Sequence, residues 1–594
     1  MDSGLDGDCP AVKQLSRSRP PPSPTGRGRS PLYQLAIWLG PLLFLALFYL
    51  YPMGSILQVS FARGDGGLAA PLVEALTSTT VRRVLWFTVW QAALSTALTL
   101  LVGLPGAYLL ARFDFRGKSL LRALTGIPFI MPTLVVAAAF NALLGPKGWV
   151  NLGLMSLFSL STPPIQFTNT LSAILLAHVF YNTTIVLRMV GDFWSHIDPR
   201  LSAAAQVLGA DQRRRLRHVI LPLLKPAIIT AALLVFIFDF TSFGVILVLG
   251  GPRFATLEVE IYYQTISLFN LPLAAALSLL QLACNLALTI TYTRLSARLS
   301  RPLWLRPQRY TQRRFLTRRG RLAAAVTITL LLTLLTAPLA ALAVRSVTRL
   351  DPERGQREPS ARGLTLDFYH ELTINRRQSL FYVPPTTAIG VSLGYAAATV
   401  VLALALGLPA AWALARDSTS LSSRLFDPLI MLPLGTSAVT LGLGFIVALA
   451  HPPLDLRASP LLIPLAHTLV AFPFVVRSLT PALRSIQPRL RQAAAVLGAS
   501  PRQTLRYVDL PLVGRALLVA ATFAFTISIG EFGATALIAR PEYPTVPIMI
   551  YRFLSQPGAL NYGQALALST ILMLICAIGM LAIERFRIAD VGEF

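Results

Sequence analysis

The sequence predicts an all-α polytopic membrane protein of about 12 transmembrane helices, built as two tandem six-helix units. Only 13% of the 594 residues are charged and 54% are hydrophobic, whereas soluble chains average about 25% charged residues. The apolar residues form uninterrupted blocks of about 20 or more, long enough to cross a hydrocarbon core. In addition, one long segment between two such blocks occurs twice along the chain.

A basic segment precedes the first apolar block. Residues 1–31 are rich in Pro, Arg and Ser and predict a disordered tail. The block that begins at Leu32 is longer than a signal-peptide core and no small-residue cleavage site follows it, so it predicts an uncleaved first span. The twelve expected spans are residues 33–60, 84–111, 120–145, 169–192, 226–250, 271–293, 322–344, 387–415, 427–449, 459–483, 516–539 and 563–583.

The charges between the spans predict the orientation. Segment 294–321 holds ten Arg and no acid, whereas 146–168 holds only Lys147. The positive-inside rule therefore places the basic loops and both termini in the cytoplasm. The expected cytoplasmic loops are 112–119, 193–225, 294–321, 416–426 and 484–515. The net charge of +26 thus follows from membrane topology, and no aromatic-interleaved basic face of a nucleic-acid binder is present.

Two segments of the sequence are repeated. Residues 197–227 and 486–516 are identical at 18 of 31 positions, with a constant offset of 289 and no gap. At another offset, GLPGAYLLAR (103–112) is similar to GLPAAWALAR (407–416). Repeats of this kind predict two equivalent structural units.

The offset of 289 continues past the repeated segment, where it pairs Phe243-Gly244 with Phe532-Gly533 and Ile261-Tyr262 with Ile550-Tyr551. Each unit then has six spans, with the repeated segment between its fourth and fifth. Because both copies lie on the cytoplasmic side, we expect a parallel pseudo-two-fold axis along the membrane normal. The expected divisions are 32–293 for the first unit, 294–321 for a basic cytoplasmic linker, 322–585 for the second unit and 586–594 for a cytoplasmic tail.

The repeated segment predicts a helix–glycine–helix elbow. Residues 199–208 predict a short Ala-rich helix, which Gly209 ends by adopting the left-handed conformation. Asp211, or Ser500 in the other copy, should cap a second helix, and the Leu-Pro pair that follows should end it. Such helices could instead lie on the bilayer surface with Arg against anionic lipid. A shape that recurs in register favours docking on two equivalent partners.

Both elbows carry the pattern x-Ala-Ala-x3-Gly-x9-Val-x-Leu-Pro. It falls on Ala204, Ala205, Gly209, Val219, Leu221 and Pro222, and again on Ala493, Ala494, Gly498, Val508, Leu510 and Pro511. This pattern resembles the EAA loop of ABC-importer permeases of the binding-protein-dependent type, and the resemblance extends over residues 32–585. The leading Glu of that family is absent, since Ala203 and Gln492 occupy its position, and Val stands where Ile is usual.

The resemblance implies a permease of a bacterial inner-membrane importer, with two permease units in one chain. In that family the loop is a coupling helix that docks on an ATPase subunit, and closure of the ATPase dimer switches the membrane halves between inward-open and outward-open states. The implied partners are an ABC ATPase dimer, an extracytoplasmic solute-binding protein and the lipid bilayer, without nucleic acid. ATP and Mg would be bound by the ATPase, so no cofactor is expected in this chain.

The chain itself is not expected to be an enzyme. Its Gly-Lys-Ser at 117–119 is no Walker A motif, because Arg112 stands where that motif needs Gly. The cysteines Cys9, Cys284 and Cys576 are far apart and form no metal-binding pattern. We therefore predict neither a catalytic residue nor a metal site.

Ionisable residues deep in the spans are candidates for the translocation path, because burying them in lipid is costly. Asp239 lies near the middle of the fifth span, and Glu531 occupies the position equivalent to Ser242, one turn further on. His178 and His467 occupy equivalent positions within their spans. For the two acids, a path or gate role and a structural bond between helices both stay open. For the histidines the alternative is hydrogen bonding between helices.

The fused two-unit chain is similar to the ferric-iron and thiamine permeases. The stretches that carry this similarity are LAHVFYN (176–182), LGGPRFATLEVEIY (249–262) and GEFGA (530–534). The resemblance implies ferric iron as the expected cargo, with thiamine, polyamines, sulfate and phosphonates as alternatives. A secondary transporter driven by an ion gradient is a more remote alternative, and it would not need a docking elbow.

Overall fold

The computed structural model describes residues 31–61, 77–299, 318–349, 363–374, 383–416, 421–449 and 455–586. Over these residues the chain is helical, with a single isolated bridge between Thr348 and Leu364. Residues 1–30 and 587–594 of the expected tails, and residues 300–317 of the expected linker, lie outside the described residues.

Within the described residues of the first half, 31–61 and 77–299, the principal helices are as follows. They are α1 (Ile37–Phe61), α2 (Thr79–Arg112), α3 (Lys118–Leu124), α4 (Ile127–Ile130), α5 (Thr133–Leu144), α6 (Trp149–Phe158), α7 (Leu171–His196), α8 (Pro199–Val207), α9 (Gln212–Phe240), α10 (Gly244–Leu249), α11 (Leu257–Tyr262) and α12 (Leu271–Leu299).

The second half, residues 318–586, repeats most of this order. Its helices are α13 (Arg318–Arg345), α14 (Asp367–His370), α15 (Pro385–Arg416), α16 (Leu421–Met431), α17 (Ala438–Ala448), α18 (Leu462–Arg484), α19 (Pro488–Val496), α20 (Pro501–Gly530), α21 (Thr535–Ile538), α22 (Val546–Ser555) and α23 (Ala559–Phe586).

The number of membrane spans agrees with the prediction. Eleven helices of the described chain are long and apolar enough to cross a bilayer, and a bent pair, Ser423–Gly435 with Ala438–Ala448, raises the number to twelve. The two segments of this pair meet at 98°. Pro433 lies in the 3-10 turn before the bend, where its missing N–H and fixed φ interrupt the helix.

Three predicted spans are displaced in the structure. The third, expected at 120–145, is interrupted at Pro132, and the long apolar helical segment there is Thr133–Phe158. The fifth and eleventh, expected at 226–250 and 516–539, begin earlier and end at Phe240 and Gly530. The sequence missed these ends because the apolar run continues through the break.

Each half is held to the other by its first helix. Helix α1 packs along α15 and α17 of the second half, and α13 packs along α5 and α2 of the first. The Tyr49 hydroxyl lies 2.8 Å from the Thr436 hydroxyl, and the Trp38 ring centroid lies 4.9 Å from that of Phe426. The exchange of first helices makes the two units a single interlocked bundle.

Candidate functional site

The two elbows have the same backbone structure. Helices α8 and α19 both end in a glycine with positive φ, +83° at Gly209 and +81° at Gly498. The next residue in each copy donates its N–H back across the turn, from Ala210 to the Ala205 carbonyl at 2.9 Å and from Ala499 to the Ala494 carbonyl at 3.0 Å. This bond pattern is the Schellman ending of a helix, which needs the left-handed conformation that glycine adopts without strain.

The predicted caps of the second elbow helix are confirmed. The Asp211 carboxylate accepts the Arg214 N–H at 2.8 Å. In the other copy Ser500 and Gln503 form a reciprocal capping box, with the Ser500 N–H donating to Gln503 Oε1 at 2.8 Å. Each cap satisfies an N–H that the first helical turn would otherwise leave free.

The predicted end of the second elbow helix is wrong. The helix does not end at Leu221-Pro222 or at Leu510-Pro511. In each copy the second elbow helix is the first part of α9 or α20, which continues without a break. A π turn precedes each proline, at Leu216–Ile220 and Leu505–Asp509. The Leu221 N–H bonds to the Leu216 carbonyl, five residues back, and this wider turn admits the proline into a continuous helix.

An apolar pair lies fully exposed at the tip of each elbow. Val207 and Leu208 are 87% and 86% exposed, and Val496 and Leu497 are again 87% and 86% exposed. Contiguous apolar side chains of this exposure on a basic, polar segment are typical of a surface that binds another protein. Around them the other pattern residues are exposed at Ala204, Ala493, Gly209, Gly498, Leu221, Pro222 and Pro511, and half-buried at Ala205, Ala494, Val219, Val508 and Leu510.

The elbows differ in how they are tied to the membrane helices. In the second elbow Arg491 Nε lies 2.8 Å from the Asp509 carboxylate, which is buried. The equivalent residues of the first elbow are Ser202 and Ile220, which cannot form an ion pair. There Arg215 donates to Gln206 Oε1 at 2.9 Å instead.

The candidate path residues form one buried cluster in each half. In the first, His178 Nδ1 lies 3.3 Å from Asp239 Oδ1 and His178 Nε2 lies 2.9 Å from the Ser242 hydroxyl. Asn182 also donates to Asp239 Oδ1, at 2.7 Å. Helix α7 is thereby bonded to the end of α9, in a place where Asp239 is wholly buried.

The second cluster joins α18 to the end of α20. His467 Nδ1 lies 2.8 Å from the Ser528 hydroxyl, and His467 Nε2 lies 3.3 Å from Glu531 Oε2. The Glu531 carboxylate further accepts the N–H groups of Ala534 and Thr535, at 2.8 and 3.1 Å. It therefore caps α21, the short helix that restarts after the break.

The two clusters share one geometry in which an acid and a serine are exchanged, and the second adds the Thr535 hydroxyl, 2.9 Å from His467 Nε2, where the first has Ile246. At the offset of 289, Asp239 corresponds to Ser528 and Ser242 to Glu531. In both halves the Nδ1 edge of the histidine faces the first position and the Nε2 edge faces the second. The contacts within each cluster fit a bond between helices, and a contact with cargo stays a prediction. Over the described residues no group of three or more His, Cys, Asp or Glu could hold a metal ion.

Four aromatic rings meet where the halves face each other. The rings of Phe243 and Phe532 are stacked, with centroids 5.5 Å apart and planes at 20°. Tyr262 packs on Phe243 at 5.4 Å and Tyr551 on Phe532 at 5.5 Å. The repeat pairs these residues in the sequence, but no role was predicted for them. Two residues related by a two-fold rotation can touch each other only at the rotation axis. The repeat, which makes Phe243 and Phe532 equivalent, is therefore the sequence signal that could have identified this pair.

The comparisons with known proteins agree with this architecture. The family profile described as "Binding-protein-dependent transport system inner membrane component" matches residues 100–301 and 387–587. The thiamine transport system permease protein of Brucella abortus (strain 2308) is 30% identical over 549 residues, which are 91% of this chain and 94% of the relative. The corresponding protein of Escherichia coli (strain K12) is 28% identical over 516 residues, which are 84% of this chain and 88% of the relative. A probable ABC transporter permease protein of Sinorhizobium fredii is 27% identical over 94% of this chain and 97% of the relative.

Among solved structures, a bacterial ABC transporter that imports the acidic polysaccharide alginate aligns with 46% of this chain and 96% of its own, at 18% identity and a TM-score of 0.37. The family profile matches both halves, over more than half of the chain in total. The chain is thus a fused two-domain permease of an ABC importer, a multi-pass membrane protein that belongs to the family of binding-protein-dependent transport system inner membrane components.

Proposed function

We propose that the chain is the membrane-spanning subunit of an ATP-driven importer of thiamine. One observation supports this cargo. The relatives from Brucella abortus and Escherichia coli, which align over most of both chains, are named as thiamine permeases. The ferric iron expected from the sequence has no comparable support, so thiamine, its stated alternative, takes its place.

In this proposal each elbow docks on one subunit of an ABC ATPase dimer. The two elbows share one backbone structure, and each presents an exposed Val-Leu pair at its tip. Because both elbow helices continue into α9 and α20, a displacement at the ATPase is transmitted along a continuous helix to the far end of the membrane. The ATPase would bind ATP and Mg and hydrolyse the nucleotide, while this chain supplies the path.

The orientation and the second partner follow from the same proposal. The elbows and the basic loops face the cytoplasm of a bacterial cell, together with both termini, and an extracytoplasmic solute-binding protein delivers thiamine to the opposite face. The basic loops support this orientation through the positive-inside rule, and the family description names a dependence on binding protein.

The test is uptake by the reconstituted importer. The chain is placed in proteoliposomes with its cognate ATPase and solute-binding protein, with ATP on the elbow side and labelled thiamine on the other. We expect saturable uptake of labelled thiamine that requires ATP hydrolysis. Excess unlabelled thiamine should suppress this uptake, whereas ferric iron, putrescine and sulfate should not. A hydrolysis-deficient ATPase is the control. Uptake of labelled ferric iron without uptake of thiamine would overturn the proposed cargo.

A further inference from the structure

The stacked Phe243 and Phe532 rings form a contact between the two halves. Both residues lie at helix breaks, Phe243 between α9 and α10 and Phe532 between α20 and α21. Both are buried, at 7% and 3% exposed. Within the described part of the chain, α9 and α20 themselves share no extensive contact. The segments that follow α9 and α20 therefore touch at the ring stack, whereas α9 and α20 themselves do not pack together.

The ring stack lies at the end of the membrane away from the elbows. The part of α9 after the π turn, residues 221–240, spans about 30 Å at 1.5 Å per residue, which is the thickness of a hydrocarbon core. Phe243 follows this segment directly, and Phe532 follows its counterpart in α20. With the elbows in the cytoplasm, the stack closes the extracytoplasmic end.

Close backbone packing holds the stack in place. A Cβ at Gly244 would overlap Thr133 Oγ1 and lie 3.2 Å from Phe532 Cδ1, and a Cβ at Gly533 would lie 2.8 Å from the Ala438 Cβ. Each break is thus pressed against the start of α5 or α17, the helices that begin after the proline-associated bends. The stack, the breaks and these helix starts form a symmetric assembly around the axis.

The four rings themselves suit a flat cation. The charged residues within four sequence positions of the rings are Asp239, Glu258, Glu260, Glu531 and Arg552, of which Asp239, Glu258 and Glu531 are bonded to other groups. Aromatic faces attract a cation within about 6 Å of the ring centroid and stack on other rings. Thiamine has a permanently charged thiazolium ring and a pyrimidine ring, so it can use both interactions.

We propose that Phe243, Phe532, Tyr262 and Tyr551 form the extracytoplasmic gate of the path, and that the parted rings hold a cationic heteroaromatic cargo as it enters. The position of the gate rests on the ring geometry together with the proposed orientation of the elbows, and the cargo contact rests on the proposed function. In the closed state Phe243 and Phe532 stack on each other. Opening breaks this stacking interaction, and the cargo replaces it by stacking on the separated rings.

Cross-linking tests the gate without reference to cargo. Phe243→Cys and Phe532→Cys are combined in a chain whose native cysteines are replaced by C9S, C284A and C576A, and a short bismaleimide is added to the reconstituted importer. We expect efficient cross-linking at rest and at least a fivefold loss when vanadate traps the ATPase after hydrolysis. Equal cross-linking in both states would overturn the gate. Phe236→Cys with Phe240→Cys, a stacked pair within α9, is the control for reagent access.

Transport kinetics test the cargo contact. The double variant Phe243→Leu/Phe532→Leu should import thiamine about tenfold less per ATP hydrolysed, whereas Phe243→Tyr/Phe532→Tyr should stay within about twofold of the unmodified chain. Phe236→Leu is the matched control. If the Leu pair imports thiamine as well as this control, the cargo contact is overturned. If the unmodified importer moves no thiamine while cross-linking responds to vanadate, the proposed cargo fails and the gate stands.

Discussion

The Ser437 hydroxyl of the second half donates a hydrogen bond to the Glu258 carboxylate of the first half. Both residues are buried, and Gln281 donates to the other Glu258 oxygen at 2.5 Å. The bond exists once, because the position equivalent to Glu258 is Pro547. It is therefore an asymmetric connection between two otherwise similar halves.

Removing this connection should destabilise the assembled bundle. Ser437→Ala leaves a buried carboxylate with one partner fewer, which costs about 1–3 kcal/mol. We expect the variant to unfold several degrees below the unmodified chain when thermal unfolding is followed in detergent by fluorescence. Part of this loss could come from the cap, since Ser437 also accepts the Val439 N–H at 3.1 Å.

A double-mutant cycle with Glu258→Gln separates the two effects. The neutral amide no longer requires the hydroxyl to compensate a buried charge, so Ser437→Ala should cost less in the Glu258→Gln background than in the unmodified chain. The same cost in both backgrounds would show that Ser437 acts only as the cap of α17.

The exchanged acid and serine of the two histidine clusters predict a tolerated triple variant. Asp239→Ser, Ser242→Glu and Asn182→Ala together give the first half the residues that stand at Ser528, Glu531 and Ala471 of the second, while Ile246 remains where the second half has Thr535. The new Glu would cap α10 as Glu531 caps α21. We expect the triple variant to fold, with a melting temperature within a few degrees of the unmodified chain.

The single variants are the control for this exchange. Asp239→Ser alone leaves the Asn182 amide without its acceptor, and Ser242→Glu alone places two acids against one histidine. We expect each to cost about 1–3 kcal/mol, measured as a lower melting temperature and a lower yield of monodisperse protein. A triple variant no more stable than the singles would contradict the equivalence of the two clusters.

We expect the glycine of each elbow to be required only because it adopts a backbone conformation with positive φ, and not because a side chain would clash there. A Cβ at Gly209 or Gly498 meets nothing within 4 Å, so Gly209→Val and Gly498→Val introduce strain at positive φ of about 1–2 kcal/mol without a clash. We expect each variant to lower ATP-driven uptake severalfold because the elbow changes shape. Asn tolerates the left-handed conformation, so Gly209→Asn and Gly498→Asn should keep near-normal uptake. Unchanged uptake in both Val variants would argue against docking by the elbows.

The sequence predicted what depends on periodicity and repetition. Spans, their number and the equivalence of the halves follow from apolar block length and from the 289-residue offset, and the caps at Asp211 and Ser500 follow from local hydrogen bonding. What it missed depends on tertiary contacts. The breaks after Phe240 and Gly530 lie within apolar sequence, and the bond from Ser437 to Glu258 joins residues 179 positions apart.

The candidate path residues illustrate the same limit of prediction from sequence. The sequence identified the histidines and acids by their depth and paired the histidines correctly at the offset of 289. It could not show that each histidine contacts one residue near the end of the next long helix and a second in the break that follows, because that depends on how α7 packs against α9 and α18 against α20. The π turns at the elbows were equally hidden, since a Leu-Pro pair more often follows the end of a helix than a widened turn within one.

A close approach of two helices recurs in both halves. A Cβ at Gly103 of α2 would lie 2.7 Å from the Val186 Cβ of α7, and a Cβ at Gly407 of α15 would lie 2.6 Å from Val475 Cγ1 of α18. Val186 and Val475 are equivalent at the offset of 289. Small residues at such crossings let membrane helices approach closely, and van der Waals packing drives their association in lipid.

Gly103→Ala and Gly407→Ala should therefore each overpack a crossing, at a cost of about 1–3 kcal/mol. Removing the opposing methyl groups makes room for the added one, so Gly103→Ala/Val186→Ala should be more stable than Gly103→Ala alone. The matched control is Gly54→Ala, where a Cβ meets nothing within 4 Å and the loss of backbone freedom in the unfolded chain favours the helix slightly. Thermal unfolding in detergent measures all four variants. If Gly103→Ala melts at the same temperature as Gly54→Ala, or if Val186→Ala adds to its destabilisation, the two helices do not pack at the distance that the glycine permits.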